Sequence, residues 1–305
     1  MHDVESKRPG CLRHTREHGA YHMPGLIAEL RGKGVDLQPY RMLGIARVVE
    51  FNEKRKSLFN PTIINSFRPI TQELFTTTSL RAQLAHLDDI ASEPLTTEDA
   101  RLIELLYRPQ EAISPVAFYN LCDSISLIEI TLLQLSDALL NAIKEKASLL
   151  FFKVESRILY ALDDSLIYFS DVFRKHNVEL YIEIGHRPFV SNNIPVGTLI
   201  KLHENEVKLV IDNFTWRGGD WRERYLSSGI FCCVKLDTPP LLLNEINDFK
   251  DALLLLQEKH NMKTIVGKIE TKRQSEIVLA TGCWAVQGFY YARPREVKLM
   301  DLNSL

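Results

Sequence analysis

The chain has 305 residues, a formal net charge of -2 and 45% hydrophobic residues, an ordinary globular composition long enough to bury its own core. Its five cysteines (Cys11, Cys122, Cys232, Cys233, Cys283) are odd in number and scattered, with no CxxC pair, which argues against a disulfide framework and for a reducing, cytoplasmic setting. The polar start MHDVESKRPGCLRHTREHGAYH lacks the apolar region of a secretory signal, and no apolar run approaches the ~20 residues of a membrane span, so neither a leader nor a membrane partner is expected.

Residues 1–78 stand apart. They carry twelve Lys/Arg against eight Asp/Glu, which leaves the remainder acidic by six charges. Apolar positions at Leu26, Ile27 and Leu30, then Met42, Leu43, Ile45 and Val48, predict short helices joined by a turn. We therefore expect an N-terminal, mostly helical extension over 1–78 and one main domain over 79–305. A basic extension suits nucleic acid or an acidic protein face, whereas a solvated cap on the main domain needs no partner. The cap is preferred, no helix-turn-helix pattern is evident, and direct nucleic-acid binding stays open. Cys11, His14, His18 and His22 have the spacing of a zinc-binding helix face, but Gly19 interrupts that helix and a flexible tail is the preferred reading.

From residue 79 onward, short apolar runs alternate with amphipathic stretches. Strands are predicted at 101–107, 148–154, 178–184, 207–211, 231–236, 263–266 and 283–286. Helices are predicted after the Ser114-Pro115 start signal and over 127–143, 163–176, 241–259 and 273–281. Repeated strand–helix units call for a parallel sheet with helices outside. Seven or eight units in this length fit a closed α/β barrel, and no Gly-rich phosphate turn marks an open doubly wound sheet.

Functional groups in such barrels sit at the C-terminal strand ends. Those ends carry Glu104, Lys153, Glu183, Asp212 with Asn213, Lys235 with Asp237, Gly267 with Glu270, and Gln287. Any one acid reads equally well as a helix cap or a surface group. Several in order, converging on one face, repel one another unless a cation lies among them, and an oxygen-rich set suits Mg²⁺, Mn²⁺ or Ca²⁺. Two other clusters are notable. Cys232-Cys233 reads as a pair of small apolar side chains in a strand. Trp216 and Trp221, with Arg217, Arg222 and Arg224, suit either stacking on a base or docking a protein, or else simply capping the barrel mouth.

These residues carry a resemblance to EAL domains, the cyclic di-GMP phosphodiesterase family, over about residues 79–299. Glu104-Leu-Leu-Tyr-Arg108 resembles E-A-L-L-R, and Ile113-Ser-Pro-Val-Ala-Phe118 with Leu127-Ile128-Glu129 resembles the ISPxxF helix entry. Glu183-Ile184 resembles the E-I/L-T-E strand end, Ile211-Asp-Asn-Phe214 resembles L-D-D-F-G, and Val234-Lys-Leu-Asp237 resembles L-K-I-D. Ile269-Glu-Thr271 resembles the tail of A-E-G-V-E-T. Gly282-Cys283, Gln287-Gly-Phe289 and Pro294 resemble G-C…Q-G-Y…P.

The resemblance implies a TIM-like (β/α)8 barrel of EAL type. It implies metal-facing acids at Glu104, Glu183 and Asp212, a water-positioning Lys235, and a ligand pocket that also includes Leu106, Arg108, Glu270 and Gln287. It also exposes departures. Lys153 stands where the family has a metal-binding asparagine, Asn213 where it has the second aspartate of D-D, and Gly267 where it has a catalytic glutamate. His186 replaces the second acid of E-I-T-E, and Thr215-Trp-Arg-Gly-Gly-Asp220 departs from the family's F-G-T-G-Y-S-S loop.

An ammonium does not ligate a cation, and beside three carboxylates it replaces one. An ammonium within ~3 Å of two of the three acids would support that role, whereas one pointing outward would let a metal site survive. The reading is therefore a catalytically inactive EAL-domain regulator with no catalytic residues and no resident cofactor, Mg²⁺ or Mn²⁺ entering only if the eroded site survives. Its implied partner is a protein, a transcription regulator of motility, adhesion or virulence. The alternatives are a non-hydrolysing cyclic di-GMP receptor and a weak phosphodiesterase.

Overall fold

The computed structural model describes residues 67–80, 101–109, 119, 122, 124–185, 194–236, 239–240 and 243–297. Eight strands close into a barrel: β1 (Phe67–Thr76), β2 (Leu102–Pro109), β3 (Leu149–Val154), β4 (Glu179–Gly185), β5 (Lys208–Phe214), β6 (Phe231–Leu236), β7 (Lys263–Val266) and β8 (Ala285–Val286). Strands β2 to β8 run parallel in chain order. Strand β1 closes the ring antiparallel, with Leu74 opposite Leu102 on one side and Phe75 opposite Val286 on the other. A ninth short strand, β9 (Arg295–Glu296), lies against the outer half of β1.

The helices α1 (Ser124–Lys144), α2 (Leu159–Lys175), α3 (Val196–Glu204), α4 (Ile246–Leu254) and α5 (Lys272–Leu279) lie between successive strands. Each turns an apolar stripe to the barrel. On α2 the buried residues Leu159, Leu162, Leu166, Phe169 and Phe173 follow the three-and-four spacing of one helical face. Thr271 and Gln274 form a capping box that starts α5 immediately after the β7 loop. No helix among the described residues is long and apolar enough to cross a membrane.

The barrel was expected and is present, but its start corrects the expected boundary. Strand β1 lies inside the 1–78 segment assigned to a helical extension, and it pairs with β2 along eight residues. Pro69, Gln72 and Glu73 break up its apolar signal. Its inward Leu74 reveals it only once the barrel is closed. Residues 1–66, including the Cys11/His14/His18/His22 cluster, lie outside the described residues, as does the Ser114-Pro115 helix start.

Alternation along the strands sorts side chains into layers. Leu74, Leu102, Leu149, Phe151, Tyr181, Val210, Cys233, Ile265 and Ala285 form an apolar cluster inside the barrel, distinct from the core between barrel and helices. Two residues further toward the mouth, on the same face of each strand, stand Gln72, Glu104, Lys153, Glu183, Asp212, Lys235, Gly267 and Gln287. The polar layer therefore rests on a dry apolar floor.

Gly288 fixes one edge of that layer. A Cβ there would lie 2.0 Å from the Ile269 carbonyl oxygen, so only glycine permits the β7–β8 loop to pass. The same crossing places Gln287 through its N–H to Val266 and its carbonyl to Ile269. We expect Gly288→Ala to cost about 3 kcal/mol or more in urea denaturation, because the clashing atom is backbone and has nowhere to retreat. Unchanged stability would contradict this packing.

Candidate functional site

Two ammoniums thread the acid cluster. Lys235 on β6 donates to Glu104 Oε2 at 2.7 Å and to Glu183 Oε1 at 3.1 Å. Gln287 donates to the same Glu104 oxygen at 2.7 Å. Lys153 on β3 donates to Asp212 Oδ2 on β5. Contact with two acids was the geometry that would support Lys153 as the internal cation. The structure pairs it with one and leaves the other two to Lys235.

Burial makes these charges interdependent. Glu183 is fully buried and its Oε2 has no hydrogen-bond partner. Burial first, and the neighbouring Glu104 charge second, push its carboxyl up to about 8. Burial also works against ionisation of Glu104 and Asp212. The Lys235 charge outweighs it at Glu104, which lies below its ordinary value, and Lys153 with Lys235 draws Asp212 down to about 2. Burial opposes the charge on both lysines, yet both are held above their ordinary value, Lys153 chiefly by Asp212 and Lys235 chiefly by Glu104. At neutral pH the cluster therefore holds two carboxylates, two ammoniums and one carboxylic acid.

Above the cluster opens a cavity of about 450 Å³, lined among others by Glu104, Leu106, Arg108, Lys153, Asp212, Asn213, Lys235, Gly267, Glu270 and Gln287. All predicted site residues except Glu183 reach it; Glu183 lies beneath, under Lys235. Gly267 has no left-handed backbone, and a Cβ there would meet only the Leu236 carbonyl at 3.4 Å, an ordinary contact. The backbone does not require glycine, so a side chain is missing there by choice of residue and not of fold. Asn213 is exposed and left-handed at φ 51°, a conformation asparagine tolerates. Asp237 and His186 lie outside the described residues.

Several contributors were not singled out from the sequence. Gln72 lines the cavity, and Arg68 stands directly across from Arg108 in the β1–β2 pairing, both hidden because β1 was not recognised as a barrel strand. Arg222 is wholly buried, not a surface anchor. It pairs with Asp220 at 2.7 Å and donates to the carbonyls of Ile184, Asp212 and Asn213, tying the ends of β4 and β5 together. Trp216 packs edge-on against Phe249 beneath Arg217, and Trp221 packs against Tyr225 beneath Arg224. The 215–228 loop thus packs down as a cap on the barrel.

The donor set does not fit a divalent ion. Asp212 is committed to Lys153, Glu104 and Glu183 to Lys235, and the Lys153 ammonium stands in the first shell that an ion would need. Among the described residues, no set of three or more His, Cys, Asp or Glu side chains is placed to hold a metal.

The raised carboxyl has a stability consequence. Unfolded, Glu183 titrates near its ordinary 4.5; folded, it titrates at about 8. Between these values the folded chain holds one proton more, so this group's contribution is fully present below pH 4.5 and is lost as pH rises through 8, with a slope of up to about 1.4 kcal/mol per unit. Asp212 acts oppositely: its contribution is present above 3.8 and is lost as pH falls toward 2. Urea denaturation between pH 4.5 and 8.5 should show a decline that Glu183→Gln flattens. Parallel curves for the two proteins would contradict the assignment.

No family profile matches the sequence, and no curated protein does. Solved structures do match. The EAL domain protein from Listeria monocytogenes EGD-e is 18% identical, with a TM-score of 0.53 over 76% of this chain and 90% of that one. The PaMucR phosphodiesterase in its c-di-GMP complex gives 18%, 0.53, 76% and 98%. The FimX EAL domain from Pseudomonas aeruginosa, bound to c-di-GMP, gives 15%, 0.57, 81% and 96%. At these identities the likeness establishes the fold: a (β/α)8 barrel of the kind found in EAL domain proteins.

Proposed function

We propose that this chain is a non-hydrolysing EAL-type regulator that works in the cytoplasm by contact with a protein partner, a transcription regulator on the family resemblance. One observation carries the loss of hydrolysis: the Lys153 ammonium rests on Asp212, in a cluster already balanced by Lys235. Two-metal hydrolysis needs cations that generate hydroxide and neutralise the in-line transition state. Here a fixed ammonium takes the metal's electrostatic place and supplies neither function. Gly267 adds no carboxylate, and Asn213 no charge. Groups that act as a unit are not additive, so one such change already removes most activity.

A second reading, a cyclic di-GMP receptor without turnover, has its own support. The cavity remains open, and Arg108 lines it, offering countercharge to a phosphodiester where metal charge is absent. Glu270 and Leu106 line the same rim and complete the candidate ligand pocket with Gln287.

Calorimetric titration with cyclic di-GMP, with and without Mg²⁺, separates the readings when product is analysed in parallel. The interaction protein gives no binding heat in either condition. The receptor gives heat that does not depend on Mg²⁺, and no linear dinucleotide. Metal-dependent formation of the linear dinucleotide would contradict both.

A further inference from the structure

The strand order raises a steric question about the Lys153–Asp212 pair. Lys153 lies on β3 and Asp212 on β5, with β4 between them. Neighbouring strands are about 4.8 Å apart, so the lysine must cross the whole width of β4 to reach its acid. The residue of β4 directly opposite Asp212 in register is Gly185. A Cβ built on Gly185 would lie 2.9 Å from Lys153 Cε and 3.4 Å from its Nζ, and 3.9 Å from Asp212 Oδ2. Any side chain at 185 would stand in the lysine's path. Gly185 is not left-handed, so its backbone accepts other residues.

We propose that Gly185 is the positioning residue of this site: its missing side chain is the gap through which Lys153 crosses β4 to Asp212, so that the internal cation depends on two residues on two strands. Position 183 contributes to the same geometry. Glu183 lies two residues below Gly185 on the same face, and the lysine passes over it, with Lys153 opposite Glu183 in the β3–β4 pairing. The inference rests on the internal-cation reading given above, and it adds what that reading leaves open, namely why a lysine from β3 reaches the acid on β5. The atom in conflict is the far end of a flexible side chain. A substitution at 185 therefore displaces the lysine and leaves the barrel intact.

Amine acetylation of the full chain, quantified per lysine by mass spectrometry, tests this. In the wild type, Lys153 should be protected relative to the exposed Lys272, and Lys235 should be protected in every variant as an internal check on folding. Gly185→Thr should raise Lys153 labelling several-fold, since an ammonium displaced from Asp212 is both more accessible and no longer held in its charged form by that carboxylate. Gly185→Ala should raise it less. The stability cost of Gly185→Thr should vanish in a Lys153→Ala background, a coupling that a purely structural glycine would not show. Unchanged Lys153 protection in Gly185→Ala and in Gly185→Thr, with Lys235 still protected, would overturn the role of Gly185 alone. Wild-type Lys153 labelled as fast as Lys272 would instead overturn the internal-cation reading beneath it. If Gly185→Thr loses the Lys235 protection that marks a folded barrel, Gly185→Ala decides the matter by the same readout.

Discussion

Everything at the mouth of this barrel depends on two ammoniums held among three buried acids. Carboxylates packed onto a dry apolar floor repel one another and lose hydration, so each buried charge requires a partner. The chain supplies both partners from its own strands: Lys235 binds Glu104 and Glu183, and Lys153 binds Asp212. The remaining imbalance is removed by a proton on Glu183, whose burial beneath Lys235 raises its carboxyl. Removing one member of such a set exposes the others to an uncompensated charge, which typically costs about 3–5 kcal/mol. The cluster is therefore a structural unit as much as a site.

The surrounding framework serves to hold that unit in register. Arg222 gathers the carbonyls of Ile184, Asp212 and Asn213, so the ends of β4 and β5 cannot drift apart. Gly288 lets the β7–β8 loop close tightly enough to aim Gln287 at Glu104. What the cluster leaves open is the rim, where Arg108 and Glu270 line the cavity. A barrel of this kind has a balanced interior and a charged, open mouth.

Much of this was legible in the sequence. The alternation of apolar strands and amphipathic helices gave the barrel, and two-residue spacing from Phe151, Tyr181, Val210 and Cys233 leads directly to Lys153, Glu183, Asp212 and Lys235. The departures at Lys153, Asn213 and Gly267 were visible as residue types. Other features needed three dimensions. Strand β1 has an interrupted apolar pattern, with only Leu74 entering the apolar cluster within the barrel, and its antiparallel pairing has no local signal. Arg222 looked like a surface anchor beside Trp221, because nothing local shows that carbonyls 10 and 38 residues away converge on it. Gly185 was not singled out from the sequence. Its meaning is the space it leaves for a lysine from the neighbouring strand. The division of labour between the lysines was also hidden, since reach depends on which strands stand side by side.

On the proposed reading, the Lys153 ammonium occupies the electrostatic place of a metal ion at Asp212. The most direct measurement is a crystal structure of the chain grown in Mn²⁺, with anomalous difference maps recorded at the manganese edge. The maps should show no anomalous peak among Glu104, Glu183 and Asp212, and a Lys153 Nζ in hydrogen-bonding contact with Asp212. A manganese peak bridging these acids, with Lys153 turned out toward solvent, would contradict it.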